Sequence, residues 1–197
     1  LLDSLAAVPV LDRWFVGEAA DAEAGRGLAV VDVGSGGGLP GLMLALARPS
    51  WQVDMVEPVG KKSAFIQQAI GELGLQHARS HGLRVEQLRI VTTPGPQGPA
   101  LPAMPATATT PAPAPATGWL ARSPDCVISR AFASLANFTR ASEAVLGPQT
   151  RLAAMKGKLP AQEIDELPAP WRVDAIEALE VPGLDAERHL ILLSRSQ

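Results

Sequence analysis

Residues 28–41 constrain this chain more than any other stretch. Leu28-Ala29-Val30-Val31-Asp32-Val33 is an essentially continuous apolar run that stops at Gly34. Strict alternation would mark a strand with one wet face, whereas a continuous run marks a strand covered on both faces, as in a parallel sheet. Glycines fill most of the next positions, and helical spacing of apolar residues resumes at Leu39 and continues to about Ala47. Strand, glycine turn and helix in that order is the opening of a βαβ unit.

The rest of the chain repeats the alternation. Residues 51–56 read as a second strand, 61–73 as a helix, and 78–83 as a weak third strand. Residues 125–129 read as a fourth strand, followed by a helix over 135–146 and a fifth strand over 151–155. Two more strands are expected over 171–181 and 188–194, antiparallel to each other because only a short turn around Pro182-Gly183 joins them. Residues 1–16 place Leu1, Leu2, Leu5, Val8, Leu11 and Phe15 at helical spacing with Pro9 interrupting, which predicts one short helix and a turn. The expected fold class is α/β and Rossmann-like. It is a mostly parallel seven-stranded sheet with helices on both faces and an antiparallel last strand, built as a single domain over 1–197.

Composition removes several classes. Of 197 residues, 47% are hydrophobic, which excludes wholesale disorder. No apolar run approaches the ~18–20 residues of a membrane helix, and no signal-peptide pattern opens the chain, so no membrane partner is expected. One cysteine cannot make an internal disulfide, so a cytoplasmic compartment is the expectation. A monomer is expected as well. Cys126 sits in an apolar strand-like run and reads as a small core residue. The net charge of −3 argues mildly against a strongly basic nucleic-acid binder, without excluding a local basic patch. Residues 94–117 hold eight of the eighteen prolines and no charged residue. A stretch of that kind buries no core and loses a backbone donor at each proline, which predicts a disordered Pro/Ala/Thr-rich insertion.

The glycine turn carries the chemistry. Gly34, Gly36 and Gly38 let the backbone take positive φ and approach a ligand, beside the free N–H groups of a starting helix. Gly36-x-Gly38-x-x-Gly41 satisfies the dinucleotide fingerprint, so a nucleotide-binding oxidoreductase or sensor is one reading. Asp32, two residues before the first glycine, points elsewhere. A carboxylate there suits the cationic methionyl end of S-adenosylmethionine, directly or through water, and repels a pyrophosphate. Glu57, at the end of the second strand, suits ribose hydroxyls under either reading.

With these residues in view the chain resembles the bacterial small-subunit rRNA guanine-N7 methyltransferases, the RsmG (GidB) family. The resemblance rests on Asp32-Val33-Gly34-Ser35-Gly36-Gly37-Gly38-Leu39-Pro40-Gly41 and on a series of further runs in order. These are Leu1-Leu2-Asp3-Ser4-Leu5, Gly60-Lys61-Lys62, Arg84-Val85-Glu86, Ser129-Arg130-Ala131-Phe132-Ala133-Ser134, Met155-Lys156-Gly157-Lys158 and 181–190, which reads Val-Pro-Gly-Leu-Asp-Ala-Glu-Arg-His-Leu. The resemblance spans almost the whole chain except 94–117, and the chain lacks the helical region that normally precedes Leu1 in the family.

The resemblance implies a class I methyltransferase fold and S-adenosylmethionine as cofactor. It implies 16S rRNA of the small ribosomal subunit, or an assembly intermediate, as partner. The reaction implied is direct in-line methyl transfer to N7 of a guanine in the 530 loop. Carried over by position, Gly34 and Leu39 lie against the methionyl part, Glu57 meets the ribose, and Val85 and Glu86 flank the adenine. Arg130 falls at the boundary between cofactor and substrate. Phe132 is a candidate to stack on the target base. Lys156 and Lys158, with Arg130 and Arg188, are candidates for a basic rim that holds phosphates. His189 reads as a structural hydrogen-bond partner, and His77 and His81 have no neighbours at metal-ligand spacing. A methyltransferase with another substrate remains the alternative within the same class.

Overall fold

The computed structural model describes residues 1–16, 27–90, 118–130 and 132–196. The insertion expected at 94–117 therefore lies outside the described residues. Seven strands form one sheet: β1 (Ala29–Val33), β2 (Gln52–Val56), β3 (Ala78–His81), β6 (Cys126–Arg130), β7 (Arg151–Lys156), β8 (Trp171–Ala178) and β9 (His189–Arg195). Their order across the sheet is β3-β2-β1-β6-β7-β9-β8. The first five run parallel, and β9 lies antiparallel between β7 and β8. The expected sheet and its antiparallel last strand are both present.

Every residue of β1 is buried, as its unbroken apolar run requires. Val30 faces one core, with Met55, Cys126 and Ile128 from neighbouring strands. Helices α1 (Leu2–Ala6), α2 (Val8–Leu11), α3 (Gly41–Ala47) and α4 (Gly60–Glu72) lie along the chain on this side, contributing Leu11, Leu44 and Ile66. Val31 and Val33 face the second core, with Val56, Val127 and Leu152, against Leu135 and Phe138 of α5 (Leu135–Ser142). Cys126 is fully buried, and burial pushes its thiol far above the ordinary range.

Three details differ from the sequence reading. Pro9 does not end the N-terminal helix; it falls in the first turn of α2, where a backbone N–H has no intrahelical partner to lose. A two-stranded parallel pair, β4 (Arg89–Ile90) with β5 (Trp119–Leu120), brackets the insertion, and two residues per strand leave no period to read. The short α6 (Ala161–Asp165) buries none of its residues and so carries no apolar stripe.

Strand order reverses between β1 and β6, with connections leaving in opposite directions from the middle of the sheet. A crevice opens beyond the carboxyl ends of the strands at such a point. Gly34, Glu57 and Arg130 all stand at those ends, following or closing β1, β2 and β6.

Candidate functional site

The turn after β1 is held by its own backbone. Gly34 and Ser35 donate N–H to the Val56 carbonyl at 2.9 and 3.2 Å, and Gly38 and Leu39 donate to Ser35 O at 2.8 and 3.0 Å. Gly36, Gly37 and Gly38 are thus lifted as a loop over the ends of β1 and β2. Two positions demand glycine for different reasons. At Gly38 (φ 85°) a Cβ would lie 2.4 Å from Leu42 Cδ1. At Gly36 (φ 59°) a Cβ would find no protein atom nearer than the Gly34 carbonyl at 4.0 Å, so the space beside it is open crevice.

Two buried carboxylates shape the loop. Glu57 accepts the Gly36 N–H at 2.8 Å with one oxygen and the Val59 N–H at 2.9 Å with the other. Asp32 is fully buried, and its Oδ2 accepts the Gly41 N–H at 2.9 Å. Asp32 Oδ1 is buried with no hydrogen-bond partner among the described residues. Burial pushes the Asp32 carboxyl up to about 7, against the pull of the Gly41 N–H, the Ser35 side chain and Arg130. An acceptor without a donor at the root of a ligand crevice fits a cationic or donor-bearing ligand and disfavours an anionic one.

The sequence-predicted residues fall into two groups. Asp32, Gly34, Gly36, Gly38, Leu39 and Glu57 form one continuous hydrogen-bonded unit. Phe132 joins it, because its Cε2 lies 3.8 Å from where a Gly34 Cβ would stand. The Phe132 ring is steadied from behind by Phe138, with centroids 5.4 Å apart. Val85 is buried in the second core, in a 3-10 turn over Val85–Gln87, while Glu86 is exposed and lines a cavity of about 640 Å³ with Asn137 and Arg140.

Lys156 has partners other than the phosphates expected for it. Its ammonium donates to Glu163 Oε2 and Oε1 at 2.7 and 3.0 Å and to the Phe132 carbonyl at 3.2 Å, with a tenth of the side chain exposed. Glu163 also accepts the Leu135 N–H at 2.7 Å, at the start of α5. The pair therefore braces the segment that carries Phe132. Sequence reading did not single out Glu163: it lies in α6, which has no periodic signal. Lys158 is exposed, and His189 Nδ1 lies 2.8 Å from the Gly157 carbonyl. His81 Nε2 pairs with the buried Asp54 at 2.8 Å, and His77 Nε2 lies 2.9 Å from the Ala45 carbonyl. Among the described residues, no three His, Cys, Asp or Glu side chains converge on a point where a metal ion could sit.

Arg130 is the last residue of β6, one position earlier than the sequence places it relative to the strand end. Its guanidinium lies 3.5 Å from both carboxylate oxygens of Asp3 in α1. Asp3 is the second residue that sequence reading left without a role, although it stands in one of the runs that carry the family resemblance.

The chain matches the family model described as rRNA small subunit methyltransferase G over residues 1–94 and 120–191. Ribosomal RNA small subunit methyltransferase G of Bordetella avium (strain 197N) is 43% identical over 197 residues, spanning 100% of this chain and 71% of that protein. The protein of the same name from Ralstonia nicotianae is 43% identical over 196 residues, spanning 100% of this chain and 72% of that protein. Among solved structures, TrmN from Thermus thermophilus aligns with a TM-score of 0.55 at 18% identity over 99% of this chain and 52% of its own. A ribosomal protein L11 methylase from Lactobacillus delbrueckii subsp. bulgaricus aligns with a TM-score of 0.57 at 11% identity, over 100% and 78%. At such identities these two speak for the fold alone.

Proposed function

This chain belongs to the rRNA small subunit methyltransferase G family, and on that premise we propose that it methylates N7 of a guanine in the 530 loop of 16S rRNA, with S-adenosylmethionine as cofactor. The observation that carries the reading is the approach of the Phe132 ring to the glycine loop, 3.8 Å from where a Gly34 Cβ would stand. It sets an aromatic face from the Ser-Arg-Ala-Phe-Ala-Ser run beside the loop expected to hold the cofactor. A splayed-out purine stacks on such a face.

S-adenosylmethionine supplies a methyl group activated by a positively charged sulfur. The residues present fit it. Asp32, with its unpartnered Oδ1, lowers the energy of a nearby cation through the thin glycine loop. Gly36 keeps the crevice clear, and Gly34 and Leu39 form its floor on the methionyl side. Glu57 orders the loop through the Gly36 N–H and retains lone pairs for ribose hydroxyls. Val85 and Glu86 stand on the adenine side, and Arg130 at the edge where substrate meets cofactor.

Guanine N7 has an in-plane lone pair and no proton, so the chain needs no general base. Its task is to align the base and exclude water, which is catalysis by proximity and orientation. Cys126, the first residue of β6, is fully buried, which supports a reaction without a cysteine nucleophile. The test is single-turnover methylation of small-subunit RNA, mapped for N7-methylguanine. The chemical step should be nearly flat with pH over roughly 6.5–8.5. RNA with 7-deazaguanine at the target should bind and accept no methyl group. Methylation of the deaza substrate, or a mark at a different atom, sinks the N7 assignment.

A further inference from the structure

Three of the runs that carry the family resemblance meet at one carboxylate. Asp3, from the Leu-Leu-Asp-Ser-Leu run in α1, lies 3.5 Å from Arg130 Nη1, in the run that closes β6. The same carboxylate lies 3.9 Å from Arg188 Nε, in the run that leads into β9. Arg188 Nη1 passes 3.9 Å from where a Gly157 Cβ would stand, so it crosses over the loop that follows β7. Asp3 Oδ1 also accepts the Ser4 N–H at 3.0 Å.

Exposure separates the roles within this cluster. The Asp3 side chain is 18% exposed, whereas Arg130 and Arg188 keep 35% and 30% of theirs open. The carboxylate sits behind and the two guanidiniums in front. Two cations drawn to one site repel each other unless an anion lies between them, and a shared carboxylate supplies that anion. Each guanidinium has five donors in a fixed fork, so engaging Asp3 leaves others free for an outside anion. Burial would raise the Asp3 carboxyl, but Arg130 and the Ser4 N–H hold it below its ordinary value, so it stays ionised at neutral pH.

We propose that Asp3 is a positioning residue that holds Arg130 and Arg188 side by side as a grip for one RNA backbone phosphate at the rim of the crevice. The identity of the anion rests on the RNA-methylating function proposed above; the positioning does not. The grip explains why a helix remote in sequence is tied to the end of β6. A phosphate held there fixes the register of the RNA strand, and the base then reaches the crevice beside Phe132.

Asp3→Asn tests this with a clear contrast. Removing a carboxylate makes the rim more positive, so net charge alone would tighten RNA binding at low salt. Loss of positioning does the opposite, and kcat/KM for small-subunit RNA should fall by about tenfold to a hundredfold. Affinity for S-adenosylhomocysteine and the melting temperature should stay close to wild type. In an Arg130→Ala background, Asp3→Asn should add little further loss, because Asp3 acts through the arginine. Asp3→Glu, which keeps the charge, should recover part of the activity and serves if the Asn variant folds poorly.

The side-chain Nε resonance of Arg130, assigned by its disappearance in Arg130→Lys, reads positioning without any RNA. It should shift and sharpen toward a free guanidinium in Asp3→Asn. An unchanged Arg130 resonance, wild-type kcat/KM in Asp3→Asn, or full additivity with Arg130→Ala overturns the proposal. If the wild-type protein leaves rRNA unmethylated, the functional reading fails, while the Arg130 resonance still decides the role of Asp3.

Discussion

The Asp32 carboxylate accepts the Gly41 N–H at 2.9 Å, and this bond ties the end of β1 to the first residue of α3 across nine positions of glycine-rich chain. It also fixes the approach of the two elements, because a Cβ on Gly41 would lie 2.9 Å from Asp32 Oδ2 and 2.4 Å from Met55 Cγ. One carboxylate thus orders the loop from below with one oxygen while leaving the other buried and unpaired.

That arrangement predicts an unusual pH response. Burial raises Asp32 from 3.8 to about 7 in the folded chain. An acid with a raised folded value binds its proton more tightly when folded, so its contribution favours the fold below the unfolded value and fades as pH rises toward 7. Asp32→Asn should therefore flatten the stability curve between about pH 4 and 7, and leave the ligand-free protein at pH 8 as stable as wild type or more so. Affinity for S-adenosylmethionine should fall by about tenfold or more, the weight of one buried charge interaction. Urea denaturation at pH 5 and pH 8, with calorimetric titration, measures both. Parallel stability curves and unchanged affinity would exclude a special role for Asp32.

The glycine loop predicts a contrast between neighbours. Gly38→Ala forces a left-handed φ on a side chain whose Cβ meets Leu42, and should cost about 1–3 kcal/mol of stability. Gly37→Ala meets nothing within 4 Å and should stay within about 0.5 kcal/mol of wild type. Gly36→Val should strain the loop and lose cofactor binding besides, since its side chain enters the open crevice. Equal melting temperatures for the Gly37 and Gly38 variants would contradict the loop geometry.

Lys156 and Glu163 should behave as a coupled pair. Lys156→Met or Glu163→Gln each leaves a partner half-stranded beside Phe132 and Leu135, at a loss of roughly 1–3 kcal/mol. The double variant should lose less than the sum of the two. Because the brace holds the Phe132 segment, turnover should fall further than stability alone explains, with cofactor affinity little changed. Simple additivity in chemical denaturation would show that the two side chains do not act together.

The insertion should be dispensable for the fold. Its two ends are already joined: the Arg89 N–H donates to the Gly118 carbonyl at 2.9 Å, beside the β4–β5 pair. Replacing 94–117 with a short Gly/Ser linker should change stability by about 1 kcal/mol, since loop-closure entropy grows slowly with length. A large drop in melting temperature, or lost cofactor binding, would mean that the segment packs on the domain.

The centre of the sheet was legible because β1, β2 and β6 are apolar runs ending at a glycine, an acid or an arginine at the carboxyl end. Val31, Asp32 and Gly34 announce β1, and Val56 followed by Glu57 announces the end of β2. The glycine loop was legible for a different reason, since Gly34, Gly36 and Gly38 take the positive φ that favours glycine. The braces were not. Lys156 to Glu163 and Asp3 to Arg130 are pairings between side chains whose distance in sequence says nothing about distance in space. Lys156 in sequence looks like any lysine on a loop, and only the fold shows its ammonium enclosed by Glu163 and the Phe132 carbonyl. Pro9 was misread in a simpler way, because a proline that interrupts a helix and one that begins the next look alike until the break at Ala7 is seen.

The placement of β9 between β7 and β8 has a consequence for how such a chain comes into being. β8 is made first but has no strand beside it until β9 arrives, because its neighbour in the sheet is β9 itself. During synthesis, residues 171–178 leave the ribosome as an orphan edge, and the central strands wait with the flank of β7 uncovered. The later strand, β9, is the wedge that seals both. Removing residues 189–195 would thus unpair β7 and β8 together, and the sheet would lose both a flank and an edge.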